Sequence, residues 1–283
     1  MPKVGIVISN YNGWQDTLVC LDSLQKQTYK DFEIILLDDA SPNDSVAQLQ
    51  DKLLANTVFL PQEQNLGFAA VNNVGMRRAL ADGCDYVLLL NNDTTVAPDM
   101  LETLLRETPA GAVSCPKMLF MDPPDEIWFA GGTLDPATGK VKHLGGHAKD
   151  GPAFAQKQQV SFITFCCVLL PRAVIEQVGY LDETLFMYCE DVDYCIRLGQ
   201  AGVLLWFLPA LMAMLAAKHA LSRQGKRILM VDDVYGGGGT TKALNELARQ
   251  AEAIVAAHAV VGVEDGVALP EGLTYLFALP VLD

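Results

Sequence analysis

The sequence predicts an α/β protein built on a doubly wound, mostly parallel sheet, and three features of its N-terminal part carry that expectation. Short apolar runs alternate with stretches of helical periodicity, which makes repeated βαβ units. The runs are nearly continuous rather than alternating, as expected of strands covered by helices on both faces. Polar residues, mostly Asn and Asp, follow the runs, and in an open α/β sheet those ends lie along the edge where ligands bind.

The first strand is "VGIVIS". The helix "WQDTLVCLDSLQ" follows, with Trp14, Leu18, Leu21 and Leu24 on one face, and then the strand "FEIILLDD". A helix near Val46 to Leu54, the strand "TVFLP", a helix from about Phe68 to Leu80 and the strand "YVLLLNND" repeat the pattern. After Pro109 the rhythm loosens into short strands and hairpins at "GAVSCPKML", "IWFAGGTLD" and "KVKHLGG", then an exposed loop at "HAKDGPAFAQKQQ". The strand-to-helix segment "VSFITFCCVLLPRAVIEQVG" leads to "LDETLFMYCEDVDYCIRLGQAG". A buried strand is expected at Val203 to Leu208, with an apolar helix after it. The membrane-like stretch "AGVLLWFLPALMAMLAAKHA" has an uncharged run shorter than the roughly 20 residues a bilayer requires. Pro209 also interrupts it, which favours a core element, with peripheral membrane contact as the alternative.

The chain has 283 residues, enough for one large or two modest domains. A formal charge of -14 and a pI near 4.6 exclude a nucleic-acid binder, because a polyanion would be repelled. The seven cysteines show neither CxxC nor Cys/His zinc spacing, so reduced thiols are expected, with Cys166 and Cys167 in the core. The opening "MPKVGIVISNYNG" carries no signal-peptide pattern, and a cytoplasmic protein is expected, with peripheral contact at the inner face of a membrane as an option.

The strand ends form a series. Tyr11 and Asn12 follow the first strand, Asp38 and Asp39 the second, Asn65 to Phe68 with Gly67 lie after the third, and Asn91, Asn92 and Asp93 close the fourth. Each set alone is explained by a turn, since Asn and Asp bond their own backbone. Together, on one edge of a parallel sheet, they point to a shared ligand site.

The segments "VISNYNG", "LLDDASPNDS", "NLGFAAVNN", "LLLNNDTTV" and "LFMYCEDVDYCIRL", in this order and spacing, resemble the inverting family-2 glycosyltransferases of the GT-A fold, in particular rhamnosyltransferase-like members that build cell-surface polysaccharide. The resemblance covers residues 3–208. It implies a nucleotide site at Tyr11, Asn12, Asp38, Asp39, Asn65, Gly67, Asn91 and Asn92. It implies that Asp93, at the place of the DxD motif, binds Mg²⁺ or Mn²⁺ bridging the diphosphate. Asp191 would be the base that deprotonates an acceptor hydroxyl, and Glu190 would orient or bind that acceptor. The implied partners are a nucleoside diphosphate sugar and a hydroxyl acceptor such as a glycan or lipid-linked glycan. Helix capping by Glu190, Asp191 and Asp193 is the other reading of "EDVD". Beyond Pro209 the family's usual histidine is missing, and His219 does not match its position.

The tail, "RILMVDDVYGGGGTTKAL" onward, resembles the rear half of a type I phosphoribosyltransferase over residues 210–283. Asp232 and Asp233 would hold ribose hydroxyls, while Gly236, Gly237, Gly238, Gly239, Thr240 and Thr241 would cradle a phosphate. A structural turn is the alternative. Residues 1–208 are therefore expected to form a nucleotide-sugar-binding domain and 209–283 a fragment packed on it. The function expected from the first domain is metal-dependent inverting sugar transfer. The competing readings are a phosphoribosyltransferase-like enzyme and a non-catalytic nucleotide- or phosphate-binding fusion or chimera.

Overall fold

The computed structural model describes residues 1–214 and, beyond them, three strands at 227–235, 254–264 and 273–279. Within the first part the expected alternation is present: β1 (Val4–Asn10), α1 (Trp14–Gln25), β2 (Phe32–Asp38), α2 (Ser45–Gln50), β3 (Thr57–Pro61), α3 (Phe68–Ala81) and β4 (Tyr86–Leu90). There follow β5 (Thr94–Val96), α4 (Met100–Glu107), β6 (Val113–Phe120), β7 (Ile127–Phe129), β8 (Gly132–Leu134), β9 (Val141–His143), β10 (Gln158–Val160), β11 (Cys167–Pro171), α5 (Arg172–Val178), α6 (Glu190–Gln200) and β12 (Leu205–Met214).

The main sheet runs in the order β10-β12-β6-β11-β4-β1-β2-β3, with β5 joined to β12 and β7 to β6. Strands β1 to β4 are mutually parallel where they pair, whereas β11 runs antiparallel between β4 and β6. Strand β1 therefore lies between β2 and β4, so the winding reverses at the gap between β1 and β4. In such sheets a reversal of winding places a crevice at the carboxyl ends of the two strands, the usual ligand position. The runs Ile34–Leu37 and Val87–Leu90 are buried throughout, consistent with helices on both faces.

Two expectations are corrected. The apolar helix after Leu208 is, through Met214, a continuation of β12, which pairs in parallel with β6 across a register shift between Leu208 and Leu211. Proline cannot donate to a sheet ladder but is tolerated where the ladder is interrupted, so Pro209 sits in that irregularity instead of ending the element. The loop expected at 147–159 also contains part of a strand, β10, paired with β12 at Gln158, Gln159 and Val160.

The chain divides into compact units at Met1–Leu215 and Ala216–Asp283. In the second, β13 (Arg227–Tyr235), β14 (Ile254–Glu264) and β15 (Leu273–Leu279) pair in parallel in sequence order. Asp232 and Asp233 belong to β13, while Gly236 to Thr241 and His219 lie outside the described residues.

Helix α3 lies close against the sheet. A Cβ at Gly75 would run into the side chains of Val7 and Leu37, and a Cβ at Gly5 into Ala79. The helix thus reaches the strands through missing side chains. Gly75→Ala should overpack this contact and lower stability by about 1–3 kcal/mol despite the better helix propensity of alanine, measured as a lower midpoint in urea at unchanged m-value.

Candidate functional site

The site is built around Asn10, the last residue of β1, which is fully buried. Its amide nitrogen donates to Asp38 Oδ2 at 2.6 Å and to Ser41 Oγ at 3.3 Å. Its amide oxygen accepts from Thr17 Oγ1 at 2.9 Å, from the Gly13 N–H at 3.2 Å and from Asn92 Nδ2 at 3.3 Å. One side chain therefore joins the ends of β1, β2 and β4 to the start of α1. A second polar residue supports it, because Asn92 Nδ2 also donates to Thr17 Oγ1 at 2.9 Å, which sets the orientation of its amide.

Asp38 differs from the expectation of a carboxylate that faces the nucleotide. It is 0% exposed, and Ser41 donates to it from both its N–H, at 2.9 Å, and its hydroxyl, at 2.8 Å. The left-handed conformation of Ala40, φ 57°, turns the chain so that Ser41 can reach back. Asp38 is thus part of the floor of the crevice. Asp39 is also nearly closed off, and its two oxygens accept the N–H groups of Leu66 at 2.8 Å and Gly67 at 3.0 Å. Burial raises the Asp39 carboxyl above its ordinary value, against the lowering effect of those two amides. Asn65 adds a bond from the Gly67 N–H to its Oδ1 at 3.0 Å.

Tyr11 and Asn12 lie at the rim. Tyr11 is half exposed, and Asn12 adopts φ 61° while its N–H donates to Ser41 Oγ at 2.8 Å. Asn91 and Asp93 occupy the turn between β4 and β5, both partly accessible. Asp93 lies near enough to Cys20 and Cys166 to add to the rise that burial imposes on both thiols. The carboxylate and the neighbouring amide carbonyls are hard oxygen donors, the type that suits Mg²⁺ or Mn²⁺. Among the described residues, no three His, Cys, Asp or Glu side chains converge as a protein-only metal cage. A cation held by Asp93 would complete its shell with phosphate oxygens and water.

Glu190 and Asp191 open α6. Both carboxyls are raised above their ordinary values, chiefly by burial. Asp191 Oδ1 accepts the Val192 N–H at 2.8 Å, and the Phe165 ring packs edge-on against Tyr194 of the same helix, with ring centres 5.4 Å apart. The next residue, Cys166, accepts the Asn91 N–H on its carbonyl at 2.8 Å. The two-residue segment Phe165–Cys166 therefore lies between α6 and the end of β4. Glu190 is only 8% exposed, and its Oε2 has no hydrogen-bond partner among the described residues. An unpaired buried carboxylate oxygen is costly for a simple helix cap.

The structure gathers Asn12, Asp38 and Asn92 through Asn10, Thr17 and Ser41, and it joins Asp39 to Asn65 and Gly67. The sequence alone assigned no role to Asn10, Thr17 or Ser41. A polar residue closing a mostly apolar strand, as Asn10 does after "VGIVIS", was the available signal for the first. Thr17 and Ser41 had none, because their importance comes from partners distant in sequence. Asp232 and Asp233 belong to the second compact unit.

The chain is 29% identical over 233 residues to an N-acetylglucosaminyl-diphospho-decaprenol L-rhamnosyltransferase of Mycobacterium tuberculosis, covering 72% of each chain. It is 24% identical over 203 residues to a low-salt glycan biosynthesis hexosyltransferase of Haloferax volcanii, covering 70% of this chain and 62% of the relative. Its fold is similar to that of GalNAc-T7, solved with UDP, GalNAc and Mn²⁺ (TM-score 0.60, 16% identity, 76% of this chain and 44% of the other). It is also similar to Staphylococcus aureus TarS residues 1–349 (TM-score 0.51, 17% identity, 78% and 62%). This chain spans less than two thirds of either solved structure. These likenesses identify the α/β architecture as the GT-A fold. The model of the family "Glycosyl transferase family 2" matches residues 5–179, which take in the crevice-forming strands β1 to β4 but stop before Glu190 and Asp191, and the chain accordingly belongs to glycosyl transferase family 2 and is a glycosyltransferase.

Proposed function

We propose that this enzyme moves a sugar from a nucleoside diphosphate sugar to a hydroxyl acceptor, a glycan or lipid-linked glycan of cell-surface polysaccharide, by a metal-dependent inverting displacement. The observation that best supports this reading is the link from Asn91 through Cys166 and Phe165 to α6, the helix that Asp191 helps to open. It joins the turn that carries Asp93 to the helix that carries Asp191, two segments far apart in the sequence. Residues 1–208 carry the reaction, and residues 209–283 are given no part in it.

In this reading Tyr11, Asn12, Asn65, Gly67, Asn91 and Asn92 form the nucleotide side of the crevice, and Asp38 and Asp39 hold those segments in place. Asp93 would hold a divalent cation, which would supply Lewis-acid stabilisation of the departing nucleoside diphosphate. Asp191 accepts the proton of the attacking hydroxyl, and burial favours that step by raising the proton affinity of the carboxylate. Glu190 Oε2, buried without a partner, is the group on which a second acceptor hydroxyl would donate. Inversion follows from a single displacement, with the base on the face opposite the leaving group. The relatives' names fit this acceptor class: one denotes transfer of L-rhamnose with a decaprenol-linked substrate, another glycan biosynthesis. No helix among the described residues is long and apolar enough to cross a membrane.

Asp93→Ala should abolish Mn²⁺-dependent binding of UDP- or dTDP-sugars in isothermal titration while leaving the thermal midpoint of the free protein close to that of the parent. Equal affinity in the two proteins with Mn²⁺ present would remove Asp93 from the metal role.

Asp191→Asn should reduce transfer by ~10²- to 10⁴-fold with little change in donor affinity. Near-parental turnover would mean that another group is the base. In the parent, the acid limb of turnover should lie above the ordinary aspartate value of about 3.9, because only the ionised carboxylate can accept a proton.

The same shift has a consequence for stability. The folded-state value of Asp191 is raised, so its contribution favours folding below the unfolded value and becomes a cost as pH rises through the folded value. Asp191→Asn should therefore melt higher than the parent at pH 7, and the gain should vanish below about pH 4. A variant that melts lower at pH 7 would show that the ionised carboxylate is a net stabiliser of the fold.

A further inference from the structure

The segment leading into Glu190 and Asp191 is fastened along α3. The Arg77 guanidinium lies 4.7 Å from the ring centre of Tyr180. Asn73 grips Leu181 from both sides: the Leu181 N–H donates to Asn73 Oδ1 at 2.9 Å, and the Leu181 carbonyl accepts from Asn73 Nδ2 at 2.9 Å. The same nitrogen donates to Glu183 Oε1 at 3.0 Å, which also pairs with Arg77 at 2.7 Å. At the start of α3 the Phe68 N–H donates to the Phe186 carbonyl at 2.8 Å, and Phe186 covers Gly67 so closely that a Cβ there would collide with it.

After Phe186 the fastening ends. Met187 and Tyr188 are exposed, and Tyr188 and Cys189 both adopt left-handed backbone, at φ 71° and 67°. Non-glycine residues in this region cost about 1–3 kcal/mol each and persist only where the surroundings hold them. Helix α6 holds the downstream end, and the contacts with α3 hold the upstream end. Asn73 is the fully buried member of those contacts, and 108 residues of sequence separate it from Leu181.

We propose that Asn73 is a positioning residue for sugar transfer: by fixing Leu181 it sets the path of residues 180–189 and so the placement of Glu190 and Asp191 against the strand-end site. This role rests on the transfer reading. The chemistry requires an amide, because one side chain must accept from a peptide N–H and donate to the carbonyl of the same residue. An aspartate in its place would lose both donations and set a second carboxylate against Glu183. The arrangement also gives α3 two tasks, since the turn before it, Leu66–Gly67, is held by Asp39 on the nucleotide side and covered by Phe186 on the catalytic side.

The test compares the full chain with Asn73→Asp, with Asn73→Asp/Glu183→Gln, and with Arg77→Leu. The measurements are hydrogen exchange of peptides spanning 180–191, UDP and dTDP affinity with Mn²⁺, and turnover of whichever of the UDP-, dTDP- and GDP-sugars the parent consumes. In Asn73→Asp, exchange across 180–191 should accelerate and kcat should fall on the order of 10²-fold, with nucleotide affinity unchanged. Glu183→Gln should recover part of that loss, because its amide can donate to the introduced carboxylate. Arg77→Leu, on the half-exposed side of the same contact, should show a smaller effect of the same kind and decides the matter if Asn73→Asp does not fold. Parental kcat in either folded single variant, or a loss shared equally by kcat and nucleotide affinity, would overturn the positioning role alone. A parent protein that consumes none of the sugars would instead overturn the transfer reading, and the role of Asn73 with it.

Discussion

The buried amide of Asn10 is the interaction on which the site depends. A side chain without charge satisfies a carboxylate on β2, a hydroxyl and an N–H at the start of α1, and an amide beyond β4. An amide is suited to this because it carries donors and an acceptor on one rigid plane. A carboxylate at the same place would repel Asp38, and an apolar residue would leave Asp38 short of a donor in a buried setting. The crevice where the sheet winding reverses is thus closed at its base by a satisfied polar network, and polar groups can stay there without water.

The acids around this network fall into two kinds. Asp38 and Asp39 are buried and bonded by protein donors, and their work is to hold Ser41, Leu66 and Gly67. Asp93, Glu190 and Asp191 differ from them. Asp93 and Asp191 are partly accessible, and Glu190 keeps a buried oxygen without a partner, while burial raises the proton affinity of Asp191 as it does that of Asp39. Unsatisfied or raised carboxylates cost stability, and such costs are found where a ligand completes the arrangement. The frame that supports them is closely packed: α3 lies against β1 through Gly75, and Phe165 and Cys166, just before β11, lie between α6 and the end of β4.

The main sheet was legible in the sequence to a large degree, because strand and helix periods are local properties. The centres of β1, β2 and β4 are apolar without alternation, which already marks strands covered on both sides, and α1 and α3 show helical spacing between them. The irregular half was less legible. Pro209 suggested an interruption, and only pairing with β6, with its ladder shifted between Leu208 and Leu211, made a continuous strand possible there. Short strands such as β10 carry too little periodicity to be distinguished from an exposed loop.

The candidate site divides along the same line. The series of polar strand ends, and their shared edge in a parallel sheet, follow from sequence because side chains at the ends of parallel strands must lie together. Which of those residues face a ligand was decided by the tertiary structure. Asp38 and Asp39 are adjacent and chemically identical, yet one is enclosed by Asn10 and Ser41 while the other holds the turn before α3. Asn73 looks like one more polar residue on a helix until Leu181 arrives from 108 residues away. A polar group's burial and its partners are set by contacts between segments far apart in the chain, so its role becomes visible only once the sheet has brought those segments together.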